Sequence, residues 1–395
     1  MMNRKQWIAT IGLLTTSPIS MGLEMTGYVA PTLRYFYETP RETQQHKPYL
    51  SASSEVEFYH GFETAELVVK PFARVEQYNT NRTHWDIREA WLYNDFDFMR
   101  IQVGLSKVFW GVAESNHLVD IINQTDTLEG VDGEDKLGQP LISLAKSFEK
   151  GDVTIFMMPY FRERQAENRI GRLYANPPID RSYTTYQSSS KKKHFDWAVR
   201  YFHTFDDYDV GIAHFVGTSR APDLVPGFDN NANLVLKPHY PLIKQTSLDF
   251  QATKDAWLWK LEMITQKRAH QRHFAAVGGF EYTLVGVFES DADVGLLSEY
   301  SFDDRKALSP SPLNRDLFLG TRIAMNDEDS SELLGGVIID TGTKAQSYLL
   351  EASRRWKENW KISCEFHLST NLPAQDPLYA FRRDSHVELE LKYYF

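Results

Sequence analysis

The sequence predicts an all-β chain folded as a transmembrane antiparallel up-and-down β-barrel of about eighteen strands. Three observations predict it. The first is Ser385 to Phe395, S-H-V-E-L-E-L-K-Y-Y-F, where Val387, Leu389, Leu391, Tyr393 and Phe395 alternate with His386, Glu388, Glu390, Lys392 and Tyr394. Side chains of a strand repeat every two residues, so one face is apolar and the other charged. The second is that this pattern recurs along the chain, with no linker, repeat or low-complexity tract to divide it. The third is an aromatic content of 13%, which suits the interfacial girdles of a membrane barrel. A mean hydropathy of -0.44 is compatible, because a barrel shows lipid only alternate residues. A soluble barrel or sandwich carries formally the same alternation. Inward charges of both signs make sense only beside water or partners, and they favour the membrane reading.

Met1 to Gly22 reads as a secretory signal. Arg4 and Lys5 give the positive start, Trp7 to Leu14 the short apolar run, and Ser20 and Gly22 the small residues before a cut. An ordinary N-terminal helix is the alternative. The shortness of the apolar run and Pro18 argue against a transmembrane helix, and no later segment offers eighteen apolar residues in a row. Residues 23–395 then form one barrel domain.

Strands come in pairs. Glu24 to Tyr37 leads by a polar loop to Ser51–Phe62, and a tight turn separates that from Thr64–Tyr78. His84–Tyr93 turns at Asn94-Asp95 into Asp97–Phe109. After a long insertion come Leu141–Glu149 and Asp152–Arg162; after another, Lys193–Phe205 and Tyr208–Thr218. Lys244–Thr253 turns into Ala256–Lys267. His273–Val287, Asp293–Asp303, Arg315–Asn326, Ser331–Asp340, Lys344–Trp356, Lys361–Ser369 and the terminal segment complete the set. With the N-terminus inside, short turns fall on the periplasmic side and long loops outside. Leu234–Leu236 is a competing strand, but Pro238 and Pro241 demote it to loop, and accepting it would break the even count.

Clean alternation assigns faces. Met99, Ile101, Val103, Leu105, Val153, Ile155, Met157, Trp257, Trp259, Leu261, Met263, Phe280, Tyr282, Leu284, Ile362, Cys364 and Phe366 face lipid. Arg100, Gln102, Asp249, Gln251, Lys260, Glu262, Glu281, Glu299, Arg322, Glu351, Glu365 and His367 face the lumen. Trp197, Trp257, Trp356 and Trp360, near strand ends, suit the interfacial belts. The single cysteine, Cys364, excludes a disulfide framework and a Cys-rich zinc site. A net charge of -10 argues against nucleic acid as a partner.

The terminal strand, ending on Phe395, resembles that of Gram-negative outer-membrane β-barrel proteins. The resemblance implies residence in outer-membrane lipid and recognition of the last strand by the barrel-assembly machinery. R-E-A-W-L-Y (Arg88–Tyr93) and the stretch F-W-G-V-A-E-S-N-H-L-V-D-I-I-N-Q-T-D after it resemble porin-like outer-membrane proteins of uncharacterised function. In general porins the third outer loop folds into the lumen and narrows it. Phe109 to Pro140 is the third outer loop here, so the same role is implied.

That loop is long enough to be functional. Ser115 or Asn116 is placed to cap a short helix through Ile122, with Leu118, Ile121 and Ile122 on one side. The loop carries Glu114, Asp120, Asp126, Glu129, Asp132, Glu134 and Asp135 against Lys136, and nearby inward positions supply Lys70, Arg74, Arg88 and Arg100. Opposed charges orient a polar solute, and charged rings set ion preference. The expected eyelet sets Asp120 and Asp126 against Arg74, Arg88 and Arg100; the alternative is a solvated loop on top of the barrel. Glu114, Glu129, Lys260, Glu262, Glu281, Arg322 and Glu365 complete the candidate lumen set. The next outer loop, Glu163 to Lys192, bears Arg164, Arg169, Arg172, Arg181 and the run Lys191, Lys192, Lys193, a solvated face or a collector of anions. Asp229, Asn230 and Asn231 lack the spacing of a calcium loop.

Ser115, His117, His270 and His273 supply nucleophile and base types, but neither G-x-S-x-G nor H-E-x-x-H occurs, so no enzyme is expected. No cofactor is implied. The function expected is passive diffusion of small hydrophilic solutes. A channel selective for a sugar, an organic acid or an exported polymer, or a plugged barrel with a structural or adhesive role, stands as the alternative. Monomer and trimer are both open.

Overall fold

The computed structural model describes residues 22–130, 133–306 and 309–395. The expected signal segment therefore lies outside the described residues except for Gly22, and Asp132 does too. The strands, in chain order, are β1 (Glu24–Phe36), β2 (Pro48–Gly61), β3 (Ala65–Glu76), β4 (His84–Phe96), β5 (Met99–Ser106), β6 (Gln139–Phe148), β7 (Gly151–Met158), β8 (Thr185–Tyr186), β9 (Asp196–Phe205), β10 (Tyr208–Thr218) and β11 (Asp223–Phe228). They continue as β12 (Leu234–Tyr240), β13 (Leu242–Lys254), β14 (Trp257–Arg268), β15 (Gln271–Leu284), β16 (Asp293–Asp303), β17 (Arg315–Ala324), β18 (Glu332–Asp340), β19 (Gln346–Lys357), β20 (Trp360–Thr370) and β21 (His386–Tyr394). Eighteen of them form one antiparallel sheet, each paired with its neighbours in the chain. β1 pairs with both β2 and β21, which closes the ring and leaves no edge.

The seam lies where the apolar-charged terminal strand meets the first. Gly27 and Phe395 exchange both backbone hydrogen bonds at 3.0 Å. The Phe395 ring lies over Gly27, where an added Cβ would stand 2.9 Å from it, so the close approach requires glycine.

Alternation sorts the faces as the period of two requires. On β14, Trp257 and Trp259 are exposed while Lys260, Glu262, Ile264 and Gln266 are buried. Ile155, Val103 and Ile362 are likewise exposed on their strands. These apolar side chains form the outward belt, and in a closed ring the buried alternates point inward.

Three details differ from the sequence expectation. The turn after β4 falls at 97–98 rather than at Asn94-Asp95, which pair with Ile101 and Arg100 of β5. Leu234 does begin a strand, β12, but it pairs with β11 and β8 in a small separate sheet built from the outer loops, so the barrel count is untouched. Pro238 is tolerated because the sheet is only three strands wide and meets β8 at His239 and Tyr240 alone. The long-short rhythm also fails locally: residues 269–270 make the outer turn between β14 and β15, whereas 285–292 and 325–331 on the inner side are longer. Ala269 has a φ of 50°, as tight two-residue hairpins demand.

The lumen is not charged throughout. On the sector from β6 to β15, the inward positions Leu141, Phe156, Met158, Ala198, Ala213, Phe215, Ile243, Ile264 and Ala275 form one apolar cluster. Trp110, Val119 and Ile122 of the segment between β5 and β6 complete it, with Val119 and Ile122 fully buried.

Candidate functional site

The segment 107–138, between β5 and β6, enters the barrel and crosses it. Its first leg reaches β14 and β16. Glu262 on β14 accepts backbone N–H groups from Val112 (2.7 Å), Ala113 (3.0 Å) and Val119 (3.1 Å). Glu299 on β16 accepts from the N–H of Glu114 (2.8 Å) and of Ser115 (2.8 Å), and from the Ser115 hydroxyl (2.7 Å). Gly111 has a φ of +126°, and a Cβ there would fall 2.6 Å from a Glu262 oxygen, so glycine is what lets the chain approach. The expected helix from Ser115 to Ile122 is absent. The Val119 N–H, which would make the first intrahelical bond of a helix capped by Ser115, is held by Glu262 instead, so the segment stays irregular.

The second leg is held by the opposite wall. Arg88 on β4 donates to Asp126, and Arg74 on β3 donates through Nη2 to Glu129 at 2.8 Å and through Nε to both its oxygens at 3.1 Å. The Arg88 guanidinium also covers the Phe72 ring at 4.1 Å. Arg88 reaches inward because of a β-bulge: Lys70 pairs with Glu89 and Pro71 with Ile87, leaving Arg88 without a partner. Pro71 has no N–H for the ladder, and bulges are where strands accommodate proline. Asn123 joins the two legs, donating to the carbonyls of Ser106 and Leu137, each at 2.8 Å, while accepting from the N–H of Val108.

Electrostatics fix the segment further. Glu114 pairs with Arg322 (2.7 Å) and Lys260 (3.8 Å), and Lys260 and Arg322 both reach Glu281. Burial pushes the Glu114 carboxyl up, but Arg322 and Lys260 outweigh it and hold it below the usual range. At Glu129 burial is likewise overcome, by Arg74 with Arg82 and Arg88, and the value falls to about 2. Charged pairs taken out of water hold only with such close, hydrogen-bonded partners.

Of the expected eyelet, Asp126 meets Arg88, and Arg74 meets Glu129 rather than an aspartate. Asp120 turns into its own loop and pairs with Lys136 at 3.0 Å. Arg100 stands apart at the inner end of β5, half-exposed, with Asp152 at 3.6 Å and Ser147 at 3.2 Å. Its position two residues past the 97–98 turn places it at the inner rim, a full strand length from the loop. Glu262 and Glu281 face the first leg, and Glu365 faces inward on β20 opposite Glu351 and next to Glu388. Acid and base thus touch directly instead of facing each other across a gap.

A roof lies above. The long connection 159–195 reaches across the mouth to loops 37–47, 77–83 and 371–385. Arg172, almost fully buried, donates to Asp384 at 2.9 Å and to the carbonyls of Glu38 and His46. Arg41 donates to the other Asp384 oxygen at 2.9 Å and to the Arg172 carbonyl at 2.6 Å. Asn81 donates to the Ala166 carbonyl at 3.0 Å. Burial pushes the carboxyls of Glu167 and Asp384 up despite the guanidiniums beside them. From the loop after β10, Arg220 donates to the Ile122 carbonyl (3.0 Å) and to Asp196 (2.8 Å), tying roof to lumen segment. So Arg172 of the basic run is a structural clamp, and Lys192 pairs with Glu163 at 3.2 Å. Asp229 spends its carboxylate on the N–H groups of Asn231 and Asn233. Arg220, Asn123, Gly111 and Asp384 carry no sequence signal; only the fold brings them to their partners.

On the outer surface, between the 159–195 connection and the β11–β12 hairpin, lies an open cleft of about 480 Å³. Asn168, Arg169, Asp180, Asp229 and Asn233 line it together with Ile170, Pro178, Ile179 and Val235.

No family model and no curated protein matches the chain. Solved structures do. Wzi of Escherichia coli, an outer membrane protein involved in group 1 capsule assembly and described as a carbohydrate-binding β-barrel, is similar with a TM-score of 0.54 at 9% identity, over 93% of this chain and 83% of that one. OmpT of Vibrio cholerae, as a loop-deletion mutant, gives 0.46 at 9% identity over 95% and 99%. A mutant porin of Rh. blastica gives 0.46 at 11% over 95% and 100%. At such identities the likeness to Wzi is one of fold. The closed ring of eighteen strands, its outward apolar belt and that shared architecture make this chain an outer-membrane β-barrel.

Proposed function

We propose that the chain is a plugged outer-membrane barrel that binds a saccharide at its outer face. One observation carries this reading: the 107–138 segment is clamped to both walls of the lumen by buried carboxylates and guanidiniums. An eyelet that steers solutes needs opposed charges left free to act on them, whereas these charges neutralise each other. The roof adds a second layer of fixed backbone. The outer cleft supplies planar polar groups beside apolar side chains, a combination that suits the hydroxyl and C–H faces of a sugar. Wzi, of similar fold, is described as carbohydrate-binding, which favours the same ligand class here.

The test is calorimetric titration of the purified, folded protein with neutral and acidic oligosaccharides. Saturable binding is expected, weakened at least tenfold by Arg169→Ala with Asp180→Asn. Absence of heat with every oligosaccharide overturns it.

A second reading, passive diffusion of small hydrophilic solutes, is favoured by the inner half of the lumen. There Lys70 reaches Glu57 (2.7 Å) and Glu89 (3.3 Å) on a wall that stays partly solvated. Charged groups of this kind set ion preference in a conducting pore. Bilayer conductance separates the two readings.

A further inference from the structure

The outward face of the barrel carries cations where a lipid belt wants none. Lys244 on β13 lies directly opposite Lys267 on β14, which in turn lies opposite Arg272 on β15. All three are exposed, on the same face as Trp257, Trp259 and Met263, while Ile243, Gln245 and Gln266 beside them point inward and are buried. Like charges directly across a sheet destabilise it. Yet none of the three makes an ion pair among the described residues, and Arg272 donates only to the Thr265 hydroxyl at 3.3 Å. The nearby carboxylates are engaged elsewhere: Asp223 with Arg268, and Asp304 with the Phe274 N–H and His273. Three cations within ~10 Å on adjacent strands therefore lack an anion from their own chain.

Their height in the bilayer follows from the strand. Trp257 and Tyr282 mark the inner end of the belt on β14 and β15. From Trp257 to Lys267 the chain rises ~33 Å along its axis. At a tilt of roughly 40° that is about 25 Å across the membrane, the height of the apolar band of such barrels. The row thus sits at the outer boundary between hydrocarbon and headgroups. Below it, Phe274, Thr265, Met263 and Leu248 offer a surface for acyl chains, with Phe274 exposed.

We propose that Lys244, Lys267 and Arg272 form a binding site for the phosphate of an outer-leaflet lipid headgroup, held by charge-assisted hydrogen bonds while the acyl chains run down the adjoining apolar strand faces. The site is independent of the saccharide reading.

The experiment is native mass spectrometry of the detergent-purified barrel titrated with a bis-phosphorylated glycolipid, with the same lipid after dephosphorylation, and with inorganic phosphate. The expected result is retention of the phosphorylated lipid by the wild type. Affinity should fall at least tenfold in Lys244→Gln/Lys267→Gln/Arg272→Gln and fall equally for the dephosphorylated lipid. Where the triple variant does not migrate as a folded, heat-modifiable barrel, Lys267→Gln alone is used, with a loss of at least threefold expected. Equal retention by wild type and folded variant overturns the proposal. So does displacement of the lipid by equimolar inorganic phosphate, which would make this a site for free anions.

Discussion

At the scale of single residues, the lumen segment depends on a few charges that are held by more than one partner. Glu129 receives Arg74 in a forked contact, with Arg88 at 3.9 Å and His84 at 3.5 Å behind it. Removing one member of such a buried pair leaves the other uncompensated, at a cost of about 3–5 kcal/mol. Arg74→Ala is therefore expected to free the second leg without unfolding the barrel. Hydrogen exchange over residues 124–130 should quicken while the strand amides stay protected; unchanged exchange there would remove Arg74 as an anchor. The pH dependence has a defined sign. The Glu129 value, about 2, lies below the ordinary ~4.3 of a glutamate, so its contribution is complete above that ordinary value and is lost as pH falls through about 2. Glu114 is shifted in the same direction. Protease resistance of the segment should hold from neutral pH to about 5 and decline only toward pH 2. These charges were visible in the sequence as acids on a loop and bases on strands. Which acid met which base was not, because pairing across a lumen depends on how far each strand is sheared and where it bulges.

Elements show the same division between what is local and what is not. Strand alternation is local, and so the eighteen barrel strands and their faces were legible, with Trp197, Trp257 and Trp356 exposed at strand ends and Trp360 half-buried. The helix expected at Ser115 follows from local capping rules too, but Glu262, more than a hundred residues away, captures the Val119 N–H that its first internal bond needs. The prolines after Leu234 speak against a barrel strand and say nothing about a hairpin beyond the rim. The bulge in β4 allows a sharper test. Since Arg88 is the extra residue between Glu89 and Ile87, deleting it restores regular pairing and keeps every other β4 side chain on its own face. A deletion variant should assemble as a heat-modifiable barrel that lacks only the Arg88 contacts with Asp126, Glu129 and the Phe72 ring. Deleting Trp91 instead, within regular pairing, turns the residues on one side of the gap to the wrong face and should abolish folding in detergent refolding assays. Equal yields of the two variants would count against the bulge.

For the whole molecule, a polar lumen does not by itself make a pore. The ring of eighteen strands is wide enough to hold water, and its inner half keeps solvated charges. Yet the sector from β6 to β15 is packed with apolar side chains against Trp110, Val119 and Ile122, and apolar burial of this kind is as costly to undo as in any protein core. The loop from Arg220 and the clamp of Arg41 and Arg172 on Asp384 then lock the segment from above. Conductance should report this arrangement directly. In planar bilayers the wild type is expected to show little or no stepwise current. Replacing residues 112–135 by a short glycine-serine linker removes the plug while leaving β5 and β6 intact, and it should produce discrete, stable steps of porin size. Glu262→Gln with Glu299→Gln weakens the first leg only, because an amide oxygen accepts less strongly than a carboxylate, and it should give brief, flickering openings. The order of the three proteins matters more than any single value. Large steady steps from the wild type, matched by the linker variant, would mean that the clamped segment does not obstruct the lumen and would move passive diffusion ahead of saccharide binding as the function of this barrel.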